Sequence, residues 1–454
     1  MALAASLTSW LLAVATLGPP TTLEIQALVE RQIEARTTPG LAVGIVDREG
    51  ALQMVFGGFH REGGTVPIDA DTVFEIGSIS KVFTTLLLAQ MEAEGLVGCD
   101  DPVQGLLPEE LVLTVNEQPI TLEHLATHTS GLPRMPSNFA PADPLNPYAD
   151  YDVDSMHAFL STHAPARAPG GDSAYSNLGM GLLGHAIALR AGTTYDELLR
   201  DRICTPLGMS DTTCTPSGEL LERVASAHDG MKPVSGWDIP AMAGAGDINS
   251  TLRDMLRFAE ANLAEGGSPL VEALHRCHVP LVPTGRADLR IGLGWHVQTD
   301  SDGKGVIWHN GGTGGFAAFL GFSPDQGRAV VVLANSNARM VDALGMHLLG
   351  ALDEMPVPYR LEPGCALDDY VGTYRMVEQE AIFTLEVDHG QLVARLTGQG
   401  FLPVFPSGRD TFTYRAVPAR LVFERGDDGA PKRLVLHQNG MQLPFDRVAA
   451  VEAE

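Results

Sequence analysis

Lysine is scarce in this chain. Of 30 basic residues among 454, four are lysines (Lys81, Lys232, Lys304 and Lys432); the rest are arginines, which do not deprotonate in proteins. There is no basic run, and the formal net charge is −26. Nucleic acid and anionic membrane surfaces both require a basic footprint, so neither is expected as a partner. Cysteine is also sparse: Cys99, Cys204, Cys214, Cys277 and Cys365 are odd in number, widely spaced and without a metal-binding pattern. Cys204 and Cys214 are close enough in sequence to pair in an oxidising compartment; most of the set reads as small buried hydrophobes. A G-x-S-x-G elbow is missing, which argues against an α/β-hydrolase, and nothing resembles a phosphate or dinucleotide loop. His124 and His128 stand four apart, but no glutamate follows His124 and no third ligand is identifiable, so a zinc hydrolase is poorly supported.

What is present describes a soluble globular protein of two or three domains, 44% hydrophobic with a mean hydropathy near zero. Residues 1–20 read as a secretory leader, with Trp10-Leu11-Leu12 at the apolar centre and Ala13-Val14-Ala15 as a cleavage site. The usual basic n-region is missing, and the apolar run is short for a membrane span. A periplasmic or secreted location is therefore expected, or a cytoplasmic one if this segment is not a signal, with no transmembrane segment beyond the leader. From Leu23 to Arg36 the periodicity is helical, and Leu41 to Asp47 and Ala51 to Phe56 form a hairpin. Helices dominate from Ser78 to about Leu263, interrupted by a Pro-rich loop at residues 131–154 that should wall a cleft. Strands return between residues 292 and 334, and a helix follows from Met340 to Leu352. A sheet built from both ends of the segment, with a helical insert between, gives an α/β plus all-α catalytic domain over residues 21–355. Residues 356–366 read as a linker. Short alternating strands with Asp-His-Gly and Asp-Asp-Gly turns then predict an antiparallel β-barrel-like domain over residues 367–454.

Ser78-Ile79-Ser80-Lys81 opens the apolar run from Val82 to Gly95. A serine and a lysine three apart on one helix share a face, and a helix N-terminus favours negative charge at the serine oxygen. A lysine among Val82, Phe83 and Leu86-Leu87-Leu88 is placed to lose its proton near neutral pH and act as a base. Ser301-Asp302-Gly303-Lys304 has the same spacing but lies in a Gly/Asp loop and reads as coincidence. Tyr175-Ser176-Asn177 follows a Pro-Gly-Gly turn: a tyrosine beside a lysine can relay protons, and an asparagine can orient a substrate carbonyl. His309-Asn310-Gly311-Gly312-Thr313-Gly314-Gly315-Phe316 follows a strand, and its glycines allow close backbone approach and an N–H aimed at a developing oxyanion.

Together these three pieces resemble the serine β-lactamase and penicillin-binding protein superfamily, in its class C β-lactamase, DD-peptidase and D-aminopeptidase branch. The phrases Phe74 to Lys81, Leu125 to Pro133, Ile203 to Met209 and Leu333-Ala334-Asn335-Ser336-Asn337 extend the likeness over roughly residues 25–352. The tail resembles the lipocalin-like C-terminal domain of some members. The resemblance implies a β-lactamase/transpeptidase-like fold, a small-molecule or peptide substrate, and no cofactor or metal. It implies Ser78 as the acylated nucleophile, with Lys81 and Tyr175 sharing the proton traffic. Asn177, His309, Gly311, Gly312 and Asn337 would be substrate-binding, with the Ser78 and Gly312 N–H groups forming the oxyanion hole. His309 stands where β-lactamases carry a lysine. An imidazolium there would be a weak, pH-dependent carboxylate anchor. The implied substrates are D-amino-acid or peptidoglycan stem peptides, with some β-lactam hydrolysis. The alternatives are a carboxylesterase of the same fold and a penicillin-binding sensor that acylates without turnover.

Overall fold

The computed structural model describes residues 20–113, 118–165, 167–299, 305–338, 340–352, 355, 365–376, 381–414 and 417–448. The proposed leader, the Ser301–Lys304 copy and most of the linker lie outside them. An eight-stranded antiparallel sheet runs, in spatial order, Leu52–Gly58, Gly40–Asp47, Arg328–Ala334, Ala317–Ser323, Gly305–Gly312, His296–Thr299, Leu289–Ile291 and Val282–Pro283. The strands from the two ends of the segment meet where Leu41 pairs with Ala334 and Asp47 with Arg328. The sequence expectation of one sheet made from both ends therefore holds.

Alternation along the central strands explains why both faces are covered. Val43, Ile45, Val330 and Val332 point to one face, against Ile25 and Val29 of the helix Thr22–Glu34 and Leu344 of the helix Met340–Leu348. Ala42, Val46, Val331 and Leu333 point to the other, where Leu256 of the helix Leu252–Leu263 fills the space over Gly44. A strand buried on both sides reads as a continuous apolar run, as Gly40–Asp47 does. Beyond this layer lies the helical insert. Its helices Ser80–Ala93 and Asn177–Ala191 are apolar almost all round and sit in the interior. Among the described residues no helix is long and apolar enough to cross a membrane.

The C-terminal strands, from Gly372–Met376 to Met441–Val448, close an eight-stranded antiparallel barrel; the first and last pair through Thr373 and Val448. Tyr374, Phe383, Phe412, Leu434 and Phe445 fill its interior. The expected turn at Asp388-His389-Gly390 is a two-residue hairpin loop, with φ of 48° at His389 and 72° at Gly390. That turn also meets the catalytic domain: the Arg36 guanidinium donates to the His389 carbonyl at 2.9 Å, and Lys232 pairs with Asp388 at 3.3 Å. All five cysteines are free thiols. The Cys204–Cys214 disulfide is not formed: Cys204 is buried, while Asp196 grips the 213–214 backbone and hydroxyl.

Candidate active site

Ser78 sits on a tight turn, Gly77–Ile79, that leads into the helix Ser80–Ala93. Gly77 takes φ +51° and lies against the Gly312 backbone, so a side chain there would be both strained and blocked. A Cβ on Gly311 would overlap the Ile76 carbonyl. These two glycines let the strand Gly305–Gly312 run beside the nucleophile turn, as the Gly-rich segment led us to expect. Gly312 and Ser78 line one cleft together with Tyr148, Asn177, Trp237, Ile239, Met242, Ala245 and Gly246. Tyr148 comes from the Pro-rich loop expected to wall it.

Lys81 is wholly buried, its Nζ 3.0 Å from Ser78 Oγ and 2.6 Å from the Ala245 carbonyl. Desolvation, aided by the Arg134 charge, drives its pKa well below the ordinary lysine value. The Tyr175 hydroxyl donates to Ser78 Oγ at 2.7 Å. Burial pushes that phenol up to about 12, so it is a proton donor rather than a tyrosinate. The arrangement can take a proton from the serine onto the amine and steady the oxygen with the phenol. Asn177 turns its Nδ2 to the Met135 sulfur at 3.9 Å, and its buried Oδ1 has no hydrogen-bond partner among the described residues. An amide N–H entering the cleft would satisfy it.

Two sequence expectations need correction. His309 is buried, stacks on His296 at 5.1 Å, and shares a 2.6 Å hydrogen bond between Nδ1 and the Asn310 carbonyl. Burial first, then His296 and Lys81, pushes its pKa well below the ordinary histidine value. Burial and these neighbouring charges disfavour an imidazolium there, against the expected cationic anchor. Selectivity for anionic over neutral substrates is therefore not expected to decay as pH crosses about 6–7, where an ordinary imidazole titrates. Profiles of kcat/KM for matched substrates check this; a decay through that range would restore the imidazolium. Asn337 does not reach the cleft. Past the strand Arg328–Ala334 the chain turns to cap the 227–234 hairpin, and Asn337 donates to Asp229 at 2.7 Å and accepts from the Gly230 N–H at 3.1 Å.

Sequence reasoning missed His128. Its φ of +61° is unusual for a residue with a side chain. Its ring packs 4.5 Å from that of Tyr175, its Nδ1 accepts the Ser176 N–H at 3.2 Å, and its carbonyl accepts the Ala174 N–H at 2.8 Å. It thus fixes the Tyr175 segment on both sides; burial and the Lys81 charge hold its pKa at about 3. Its place in Thr127-His128-Thr129-Ser130-Gly131 was the available signal. Trp237 and Met242 gave none, because they come from an irregular stretch that only the fold brings to Ser78.

The Beta-lactamase family profile matches residues 25–353. The D-alanyl-D-alanine-carboxypeptidase/endopeptidase AmpH of Escherichia coli K12 is 33% identical over 64% of this chain and 79% of its own length. Penicillin-binding protein 4* of Bacillus subtilis is 25% identical over 83% of this chain and 88% of its own. The crystal structure of a beta-lactamase/D-alanine carboxypeptidase from Yersinia pestis superposes with a TM-score of 0.64 at 27% identity, covering 73% of this chain and 99% of that one.

Proposed function

The chain belongs to the Beta-lactamase family and is a serine hydrolase, and from that premise we propose that Ser78 is its nucleophile, acting on D-amino-acid peptides of the peptidoglycan stem type through an acyl-enzyme. One observation carries the assignment: at the floor of the cleft, Ser78 Oγ lies within hydrogen-bonding distance of both a buried amine and a buried phenol. Ser78 Oγ attacks the scissile carbonyl while Lys81 Nζ takes its proton. The tetrahedral oxyanion faces the Ser78 and Gly312 N–H groups. Collapse expels the leaving amine, which receives the proton from Lys81 through the Tyr175 hydroxyl. Water then cleaves the ester by the reverse traffic, releasing the acid and free Ser78. Asn177 Oδ1 accepts the substrate amide N–H. The D-alanyl-D-alanine-carboxypeptidase/endopeptidase name of AmpH supports the peptide class. It also supports a location in the cell envelope, which fractionation tests.

Aromatic and apolar lining from Tyr148, Trp237, Ile239 and Met242, with a neutral His309, favours a second reading as a carboxylesterase of the same fold. Turnover of D-alanyl peptides against short-chain p-nitrophenyl esters separates the two. Intact-mass analysis with a fluorophosphonate or a penicillin is expected to show one adduct per chain, absent in Ser78→Ala. No adduct on the wild type, or an equal one on the variant, overturns the proposal. Product beyond one equivalent per chain excludes a sensor that acylates without turnover.

A further inference from the structure

Arg134 is exposed beside the cleft, its guanidinium 5.0 Å from the centre of the Tyr175 ring. Several arginines of this acidic chain are paired with carboxylates, as Arg36 is with Glu62, Arg223 with Asp211 and Arg253 with Asp71. Among the described residues no ion pair engages Arg134. Its backbone is nonetheless fixed, because the Arg134 carbonyl accepts the N–H groups of Asn177 and Leu178 at 3.1 and 3.3 Å. A surface cation is thus rooted at Asn177, a residue that lines the cleft and whose Oδ1 has no hydrogen-bond partner among the described residues. The other basic groups around Tyr175 are enclosed. Lys81 and His128 are buried, and the former is committed to Ser78 and the Ala245 carbonyl. Arg134 is therefore the permanent positive charge that an incoming molecule meets on this side.

We propose that Arg134 is a specificity-determining residue that selects substrates whose acyl portion carries a carboxylate. This rests on the assignment of Ser78 as nucleophile and of Asn177 as the contact for the acyl-side amide. The ring of Tyr175 spans the gap, with its hydroxyl on Ser78 and the guanidinium against the ring. A carboxylate on Arg134 thus lies within reach of about two extended residues, at roughly 3.3–3.6 Å each, from the scissile carbonyl. The guanidinium fork can hold it by two parallel hydrogen bonds.

The test uses the mono-p-nitrophenyl esters of adipic and suberic acid and their methyl-capped counterparts, which share one leaving group and differ only at the far end of the acyl chain. The wild type is expected to favour the carboxylates in kcat/KM. In Arg134→Gln the ratio of carboxylate to capped ester should fall about tenfold, the equivalent of roughly 1.4 kcal/mol, and further in Arg134→Glu. Because both esters use the same Ser78 chemistry, a change in overall activity cancels in the ratio. An unchanged ratio in Arg134→Gln overturns the inference. So does a wild-type ratio near one at low ionic strength, which needs no variant. The Ser78 assignment fails differently: Ser78→Ala would then turn over both esters at the wild-type rate.

Discussion

Lys81→Met is expected to lower kcat/KM by about 10²- to 10⁴-fold, the range a positioned general base supplies, without unfolding the protein. Methionine matches the lysine stem in shape and suits a wholly buried site. It leaves the Ala245 carbonyl unpaired but removes an amine whose burial opposes its charge. The pH dependence identifies the base. With the Lys81 pKa driven well down, the amine becomes free as pH rises through that lowered value, so wild-type kcat/KM climbs on an acid limb. The limb should vanish in Lys81→Met. In Tyr175→Phe it should persist at reduced height, because a phenol held near 12 is protonated on both sides of neutrality and contributes only its donated hydrogen bond. Full pH profiles of the three proteins, with thermal denaturation to confirm folding, decide the matter. A Lys81→Met protein within tenfold of wild type, or one retaining the limb, removes Lys81 from the role.

Local chemistry was legible wherever a short segment carries its own geometry. Ser78 and Lys81 are one helical turn apart whatever the tertiary fold, and the glycines of 311–315 announce close approach before its target is known. The strand Gly40–Asp47 showed its double burial as an unbroken apolar run, and the Asp388-His389-Gly390 turn is a hairpin by its residue types. What stayed hidden depends on long-range placement. Enclosure first, and then the stacked His296, disfavour charge at His309, and neither adjoins it in sequence, which is why the imidazolium expectation ran against the structure. Asn337 follows a strand that points toward the site region, but two hydrogen bonds to residues 229 and 230 claim its side chain. The Ala245 carbonyl that receives Lys81 comes from a segment with no motif at all.

Glu75 and Asp247 belong to the same hidden class, and their burial leads to a second large expected effect. Each tethers the wall that carries Trp237: Glu75 Oε1 accepts the Trp237 N–H at 2.9 Å and Asp247 Oδ1 the Ile239 N–H at 2.8 Å. Burial raises both carboxyls to about 7, against the pull of the hydrogen bonds they accept, and Asp238 adds repulsion to each. The folded state therefore keeps protons between about pH 4 and 7 that the unfolded chain has released. Unfolding free energy accordingly falls as pH rises through that window, with the loss complete above about 7. For Glu75 alone the span amounts to about 3 kcal/mol. Its second oxygen, Oε2, is buried, and the hydrogen bonds from Thr313 and the Trp237 N–H only partly offset the cost of ionising the carboxyl there. Glu75→Gln keeps the acceptor for Trp237 and cannot ionise. Relative to wild type it should gain about 2.5 kcal/mol between pH 5 and pH 8, whatever its standing at pH 5. Chemical denaturation of both proteins at the two pH values measures the difference, in which groups common to both cancel. A change under about 1 kcal/mol would mean that Glu75 ionises near its ordinary value. The tethers act in the opposite sense on the wall itself, since an ionised acceptor grips an N–H more strongly than a neutral one. Above neutrality these two carboxylates are therefore expected to cost stability while they hold the Trp237 side of the cleft more firmly.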